Sequence, residues 1–321
     1  MAAPNNKLDK AIRVLSRNDA TPTSLDLSFN RIGDEGAGLL AEALATNSTL
    51  TTLDLRSNQL GDEGAGRLAE ALTINSTLTT LKLYGNQVGD EGAGRFAEAL
   101  ATNSTLTSLH LNCNNVGDVG AGKLAGALVV NSTLTTLNLY SNQVGDEGAK
   151  QLAEALIINP TLTSLDLYDN QVGDEGAGRL AEALIINSTL TTLDLKCNDV
   201  GDEGAGQLAE TLTTNSTLTT LDLNDNQAGN EGARRLAEAL ATNSSLTELI
   251  FDWALKTEIL VNAHLGRNKA NLEKKSASLF FMLLPSLSLY DDELSEEAML
   301  SHDTSIAAVD QPPSSKRQRR I

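Results

Sequence analysis

Tyr84, Tyr140 and Tyr168 stand at intervals of 56 and 28 residues, and they are three of the chain's four tyrosines. A phenol ring joins a broad apolar face to a hydroxyl and loses little rotamer freedom on contact, so this spacing offers recognition rather than bond making. Residues that recur in step with the tyrosines carry charge. Arg56, Lys82 and His110 fall on one side of them, and Asp166, Asp169, Asp194, Lys196, Asp222 and Asp225 on the other. Together they form the candidate contact set for a protein partner.

Other chemistries find less support. The histidines His110, His264 and His302 are scattered, and no Ser-His-Asp, Cys-His or H-E-x-x-H pattern accompanies them. His110 lies close to Cys113 but lacks a third group to orient it, so no catalytic residue is assigned. The aspartates recur too evenly to converge on one point, and no D-x-D-x-D-G loop is present, so neither a metal nor another cofactor is expected. G-D-E-G lacks the Lys-Ser/Thr of a phosphate loop. Cys113 and Cys197 are 84 residues apart in the same register, about 15 Å at the spacing of three strands, too far for a disulfide. A net charge of −18 repels nucleic acid along the chain and favours a partner with a basic surface. N-S-T recurs at Asn47, Asn75, Asn103, Asn131, Asn187 and Asn215, with N-S-S at Asn243. The opening M-A-A-P-N-N-K-L-D-K has no apolar signal region, so the motif reads as a turn rather than a glycosylation site, in a cytoplasmic protein.

What must position these residues is a 28-residue period, marked by Leu25, Leu53, Leu81, Leu109, Leu137, Leu165, Leu193, Leu221 and Leu249. Within one unit, Thr52 to Leu55 alternate polar and apolar, as a half-buried strand does. Ala65, Leu68, Ala69 and Leu72 then follow helical spacing. Asp62 is expected to be the helix N-cap and Asn75 to end the helix in a left-handed conformation. The Asn30, Asn58, Asn86 column is expected to bridge backbone groups of adjacent repeats. The Gly36, Gly64, Gly92 column reads as a place of close backbone approach. Glu63 faces Arg67, and Glu175 faces Arg179, at helical pairing distance. The fourth repeat departs from the pattern with Val119, Gly126 and Val129-Val130, followed by Ile157-Ile158 and Ile185-Ile186. One residue of each pair can face the core, which leaves the other in an apolar strip on the outer rim, to be read as a second contact, a self-association surface or ordinary packing variation.

The period sets the domain reading. Residues 1–20 read as an N-terminal helical cap carrying Leu8, Ile12 and Leu15. Residues 21–253 read as eight full repeats and a degenerate ninth, 254–290 as a C-terminal cap, and 291–321 as a disordered tail, acidic and then basic. The cap includes a helical stretch near 257–275 and the apolar run 279–284, which is too short to span a membrane. Lys316, Arg317, Arg319 and Arg320 form a cluster similar to a nuclear import signal.

L-x-x-L-x-L-x-x-N followed by G-A-x-x-L-A-E-A-L resembles the leucine-rich repeats of the ribonuclease-inhibitor-like class, including NLR-type and Ran GTPase-activator-type arrays, over about 230 of the 321 residues. The resemblance implies an α/β solenoid, a right-handed horseshoe with a parallel sheet on the concave face and helices on the convex face. The chain is read as a monomeric, non-catalytic scaffold that binds a protein through the variable strand residues of the concave face, away from membranes. Two alternatives accompany it: a GTPase-activating or regulatory protein for a Ran-like small GTPase, and a bacterial effector acting on host proteins.

Overall fold

The computed structural model describes residues 6–18, 22–251, 262, 264–271 and 273. The chain divides into two units, residues 1–270 and 271–321, and every named element belongs to the first. Strands of three residues, β1 (Ser24–Asp26), β2 (Thr52–Asp54), β3 (Thr80–Lys82), β4 (Ser108–His110), β5 (Thr136–Asn138), β6 (Ser164–Asp166), β7 (Thr192–Asp194), β8 (Thr220–Asp222) and β9 (Glu248–Ile250), alternate with helices. The helices are α1 (Asn6–Arg17), α2 (Gly33–Thr46), α3 (Asp62–Leu72), α4 (Asp90–Leu100), α5 (Asp118–Leu128), α6 (Asp146–Ile158), α7 (Asp174–Ile186), α8 (Asp202–Leu212) and α9 (Asn230–Leu240).

All nine strands pair in parallel and in chain order as one open sheet. The register follows the sequence period, with Leu53 beside Leu81 and Leu81 beside Leu109. Each repeat buries its strand leucines, such as Leu81 and Leu83, against the helix face made by Ala93, Phe96 and Leu100. These side chains join a single core that runs through the repeats. Parallel strands lie about 4.8 Å apart, whereas packed helices need about 8 to 10 Å. A stack of strand–helix units therefore curves with its strands inside, giving the α/β leucine-rich-repeat solenoid.

Two asparagine ladders hold the turns. Asn58, fully buried, donates from Nδ2 to Leu27 O of the preceding repeat at 2.9 Å. Its Oδ1 accepts from the preceding Asn30 N at 3.0 Å, and Asn86 treats Asn58 N in the same way at 2.9 Å. The sequon asparagines form the second ladder. Asn75 donates to Leu44 O and Asn47 O and accepts from Thr77 N and Leu78 N, all at 2.8 to 3.0 Å. This corrects the left-handed end expected at Asn75. The equivalent cap residues Asn47, Asn159 and Asn187 are extended, because the side chain rather than a backbone reversal satisfies the last helical carbonyls.

The N-cap expectation is corrected as well. Gly61, not Asp62, is the N-cap of α3, and no side chain of the same repeat caps it. The cap comes from the repeat before: Asp34 Oδ1 accepts from Gly61 N at 2.7 Å and from Gly64 N at 3.0 Å. Asp62 does the same for Gly89 and Gly92, and Asp118 for Gly145 and Gly148. A Cβ on Gly148 would lie 2.7 Å from Asp118 Oδ1, which gives the glycine column its cause. The expected Glu63–Arg67 and Glu175–Arg179 pairs are replaced by forward ones, Arg67 to Glu70 at 3.8 Å and Arg179 to Glu182 at 3.0 Å. The pairs Val129-Val130, Ile157-Ile158 and Ile185-Ile186 place neither member in the core: all six side chains are exposed. The leucine and asparagine on either side, such as Leu156 and Asn159, already fill the core positions.

At the first end, α1 buries Leu8, Ala11 and Leu15, and Ile12 packs against the core. At the other, Asn268 Nδ2 donates to Leu246 O at 2.7 Å and Asn243 O at 3.2 Å, and Arg267 to Leu240 O at 3.0 Å. Of the stretch expected near 257–275, residues 262, 264–271 and 273 are helical. Trp253, the run 279–284, the tail and its Lys316, Arg317, Arg319 and Arg320 lie outside the described residues.

Candidate protein-binding face

Because side chains alternate along a strand, the residues flanking the buried leucines point away from the core, and the register lines them up across the sheet. One row runs Asp54, Lys82, His110, Asn138, Asp166, Asp194, Asp222. Two residues further on, the chain supplies a second row, Arg56, Tyr84, Asn112, Tyr140, Tyr168, Lys196, Asn224.

The first row positions the second. Asp166 Oδ1 accepts from Tyr168 N at 3.1 Å, Asp194 Oδ1 from Lys196 N at 2.9 Å, and Asn138 Oδ1 from Tyr140 N at 3.0 Å. Aspartate or asparagine is favoured here because a short acceptor can reach the amide two residues on. The next position turns left-handed in these seven successive repeats: Ser57, Gly85, Cys113, Ser141, Asp169, Cys197 and Asp225 have φ between 51° and 67°. Asp169 and Asp225 are therefore set at the corner of the turn, and both are exposed.

Tyr140 and Tyr168 stack face to face, with ring centroids 4.3 Å apart and parallel planes. Lys196 Nζ lies 5.4 Å over the Tyr168 ring and 3.4 Å from Asp225 Oδ2. The Asp225 hydrogen bond raises the Lys196 pKa, and burial pushes the Tyr140 phenol up to about 12. Tyr84 stands two repeats from Tyr140, with Asn112 in the intervening position. Asn112 Oδ1 is buried with no hydrogen-bond partner among the described residues.

The two ends of the face differ in charge. Arg56 Nε bonds both oxygens of Asp54 at 2.9 Å, so the arginine is already neutralised. Lys82 makes no ion pair among the described residues, and His110 beside it is held below the ordinary histidine range by burial and then by the Lys82 charge. At the other end, Asp166, Asp194 and Asp222 occupy three adjacent strands. Burial raises all three pKa values, and the neighbouring carboxylates add to it, bringing Asp194 to about 6. Asn138 Nδ2 donates to Asp166 at 2.6 Å. Asp54, Asn112 and Asn138 stand in the same 28-residue columns as the candidate contacts, though the contact set leaves them out.

Among the described residues, no three His, Cys, Asp or Glu side chains gather as a metal site, and no helix is long and apolar enough to cross a membrane. Cys113 and Cys197 are free thiols.

Comparison with known proteins places these repeats. The sequence profile described as leucine-rich repeat matches residues 23–41, 46–69, 75–97, 102–125, 130–153, 159–181, 187–209 and 214–237, more than half of the chain. Among solved structures, the tropomodulin C-terminal domain of Caenorhabditis elegans is similar at 16% identity and a TM-score of 0.41, over 47% of this chain and 92% of that one. Leiomodin-1 actin-binding site 2 is similar at 16% identity and a TM-score of 0.23, over 87% of this chain and 99% of that one. No curated protein matches.

Proposed function

Since the chain belongs to the leucine-rich repeat family, we propose that it is a non-catalytic scaffold which captures a partner protein on the inner face of its sheet, through a basic surface of that partner. The observation that carries this reading is the Tyr140–Tyr168 stack, half-buried, with Lys196 over the Tyr168 ring and Asp194 and Asp222 on the two following strands. Rings already in contact lose little more freedom when a third group packs on them, and central aromatics with a charged surround are the usual anatomy of an interface hot spot. The three raised aspartates add the attraction. A lysine or arginine brought against Asp194 would offset the burial and repulsion that hold its pKa up, so binding and ionisation reinforce one another. The cytoplasm suits this activity: both cysteines are free, and the sequon asparagines spend their amides on the backbone.

The test is capture from cell extract on the immobilised full chain, followed by identification of the bound proteins. Tyr140→Ala/Tyr168→Ala should lose the partner that the unaltered chain retains, while thermal unfolding shifts by only a few degrees, since a stacked pair contributes about 0.5 to 1.5 kcal/mol beyond its burial. Undiminished capture by the double variant would remove the reading.

A further inference from the structure

Helices α5, α6 and α7 run out in the aliphatic pairs Val129-Val130, Ile157-Ile158 and Ile185-Ile186, where the other repeats carry Thr, Ala or a single Ile. All six side chains are between 42 and 63% exposed. They lie where the helices hand over to the return turns, away from the strand row that holds the tyrosines. The charge pattern lapses at the same place. Val119 stands where the flanking helices have Glu91 and Glu147, and Gly126 where they have Glu98 and Glu154, so the outer face of α5 carries no glutamate. The strip is bounded instead by Glu154 and Glu182, which precede the isoleucine pairs by three and four positions on the same helix face. Glu154 makes no ion pair among the described residues.

We propose that this strip is a second docking surface, taken by an amphipathic helix of a partner protein whose apolar face is bordered by lysine or arginine. Charge selects that occupant. Glu154, unpaired among the described residues where Glu182 is held by Arg179, attracts a basic border, and a net charge of −18 opposes a second copy of the same acidic chain. Spacing selects it too. Neighbouring packed helices lie about 8 to 10 Å apart, and seven residues of an α-helix rise about 10.5 Å, so a helix laid across α5, α6 and α7 presents one side chain to each pair. An extended strand repeats on one face at about 6.6 or 13 Å, out of step with the strip.

The experiment uses the full chain and three labelled synthetic peptides read by fluorescence anisotropy: a leucine-faced helix bordered by lysines, the same helix bordered by glutamates, and a scrambled lysine version. The lysine-bordered helix should bind at least tenfold more tightly than the other two. Ile158→Ser/Ile186→Ser, both at exposed positions, should weaken it at least tenfold, whereas Tyr140→Ala/Tyr168→Ala should bind it as the unaltered chain does. That last arm separates this surface from the inner face. No binding of the lysine-bordered helix, equal binding of all three peptides, or indifference to the isoleucine substitutions would overturn the proposal. So would a dimer of the unaltered chain in sedimentation that the serine substitutions convert to monomer, because the strip would then be an interface between copies.

Discussion

Asp194 shows what burial beside other carboxylates costs a single residue. Its folded pKa of about 6 lies above the ordinary 3.8, so between those values the folded chain holds a proton that the unfolded chain has released. Stability from this group is present at low pH and is lost as pH rises across that window. Asp194→Asn should therefore raise the urea midpoint at pH 7.5, with the gain vanishing near pH 3.5, and the backbone need not suffer, because Asn138 already accepts the equivalent amide from Tyr140. The same substitution should weaken capture of a basic partner, and unaltered protein should release that partner as pH falls below about 6. A midpoint unchanged at pH 7.5 would contradict the electrostatic account. Asn112 poses the neutral counterpart. Its orphaned Oδ1 carries a desolvation cost of about 1 to 3 kcal/mol, so Asn112→Leu should leave thermal stability equal or higher.

Helices α3 to α9 each depend on the repeat before, since an aspartate from the first turn of one helix caps the next. Asp118→Ala leaves Gly145 and Gly148 amides without their acceptor and should cost about 1 to 2 kcal/mol in urea unfolding. Gly148→Ala should also destabilise, because the new Cβ meets the same carboxylate oxygen. The two changes combined should cost less than their sum, since removing Asp118 removes one of the contacts that Gly148 must avoid. Additive costs would show that the two positions act independently. The glycine column and the acidic helix starts were both legible in the sequence, but their connection was not. The expected N-cap at Asp62 followed the usual local rule, in which a carboxylate reaches two or three residues ahead; here it reaches 27 and 30 residues ahead. The corner column was missed for a similar reason. Ser57, Cys113 and Asp169 share a left-handed turn that only Gly85 advertises by its residue type.

At the scale of the whole array, the core is one cluster running from Leu8 to Leu265, and stability should pass between neighbouring repeats rather than reside in any one. Deleting residues 134–161, one full period, should join equivalent positions and leave a cooperatively unfolding chain with the same circular dichroism per residue. Deleting 134–147, half a period, should not. A peptide of residues 50–77 alone should be unfolded, as its leucines would have no neighbouring repeat to cover them. Equal stability of the two deletions would contradict the nearest-neighbour account.

The sequence by itself determined the fold, because a 28-residue period carrying a strand pattern and a helix pattern buries its recurring leucines together only when the units stack in chain order. It also placed Lys82, His110, Asp166, Asp194 and Asp222 on one face, since alternation along a strand is fixed by backbone geometry; the other seven candidates follow the strands by two or three residues. Only the tertiary structure decided which of them meet: Tyr168 stacks on Tyr140 but not on Tyr84, Arg56 is tied to Asp54, and Asp194 is crowded by Asp166 and Asp222. These outcomes rest on distances between side chains of different repeats and on how much water each retains, and neither quantity is written in the spacing of residues along a chain.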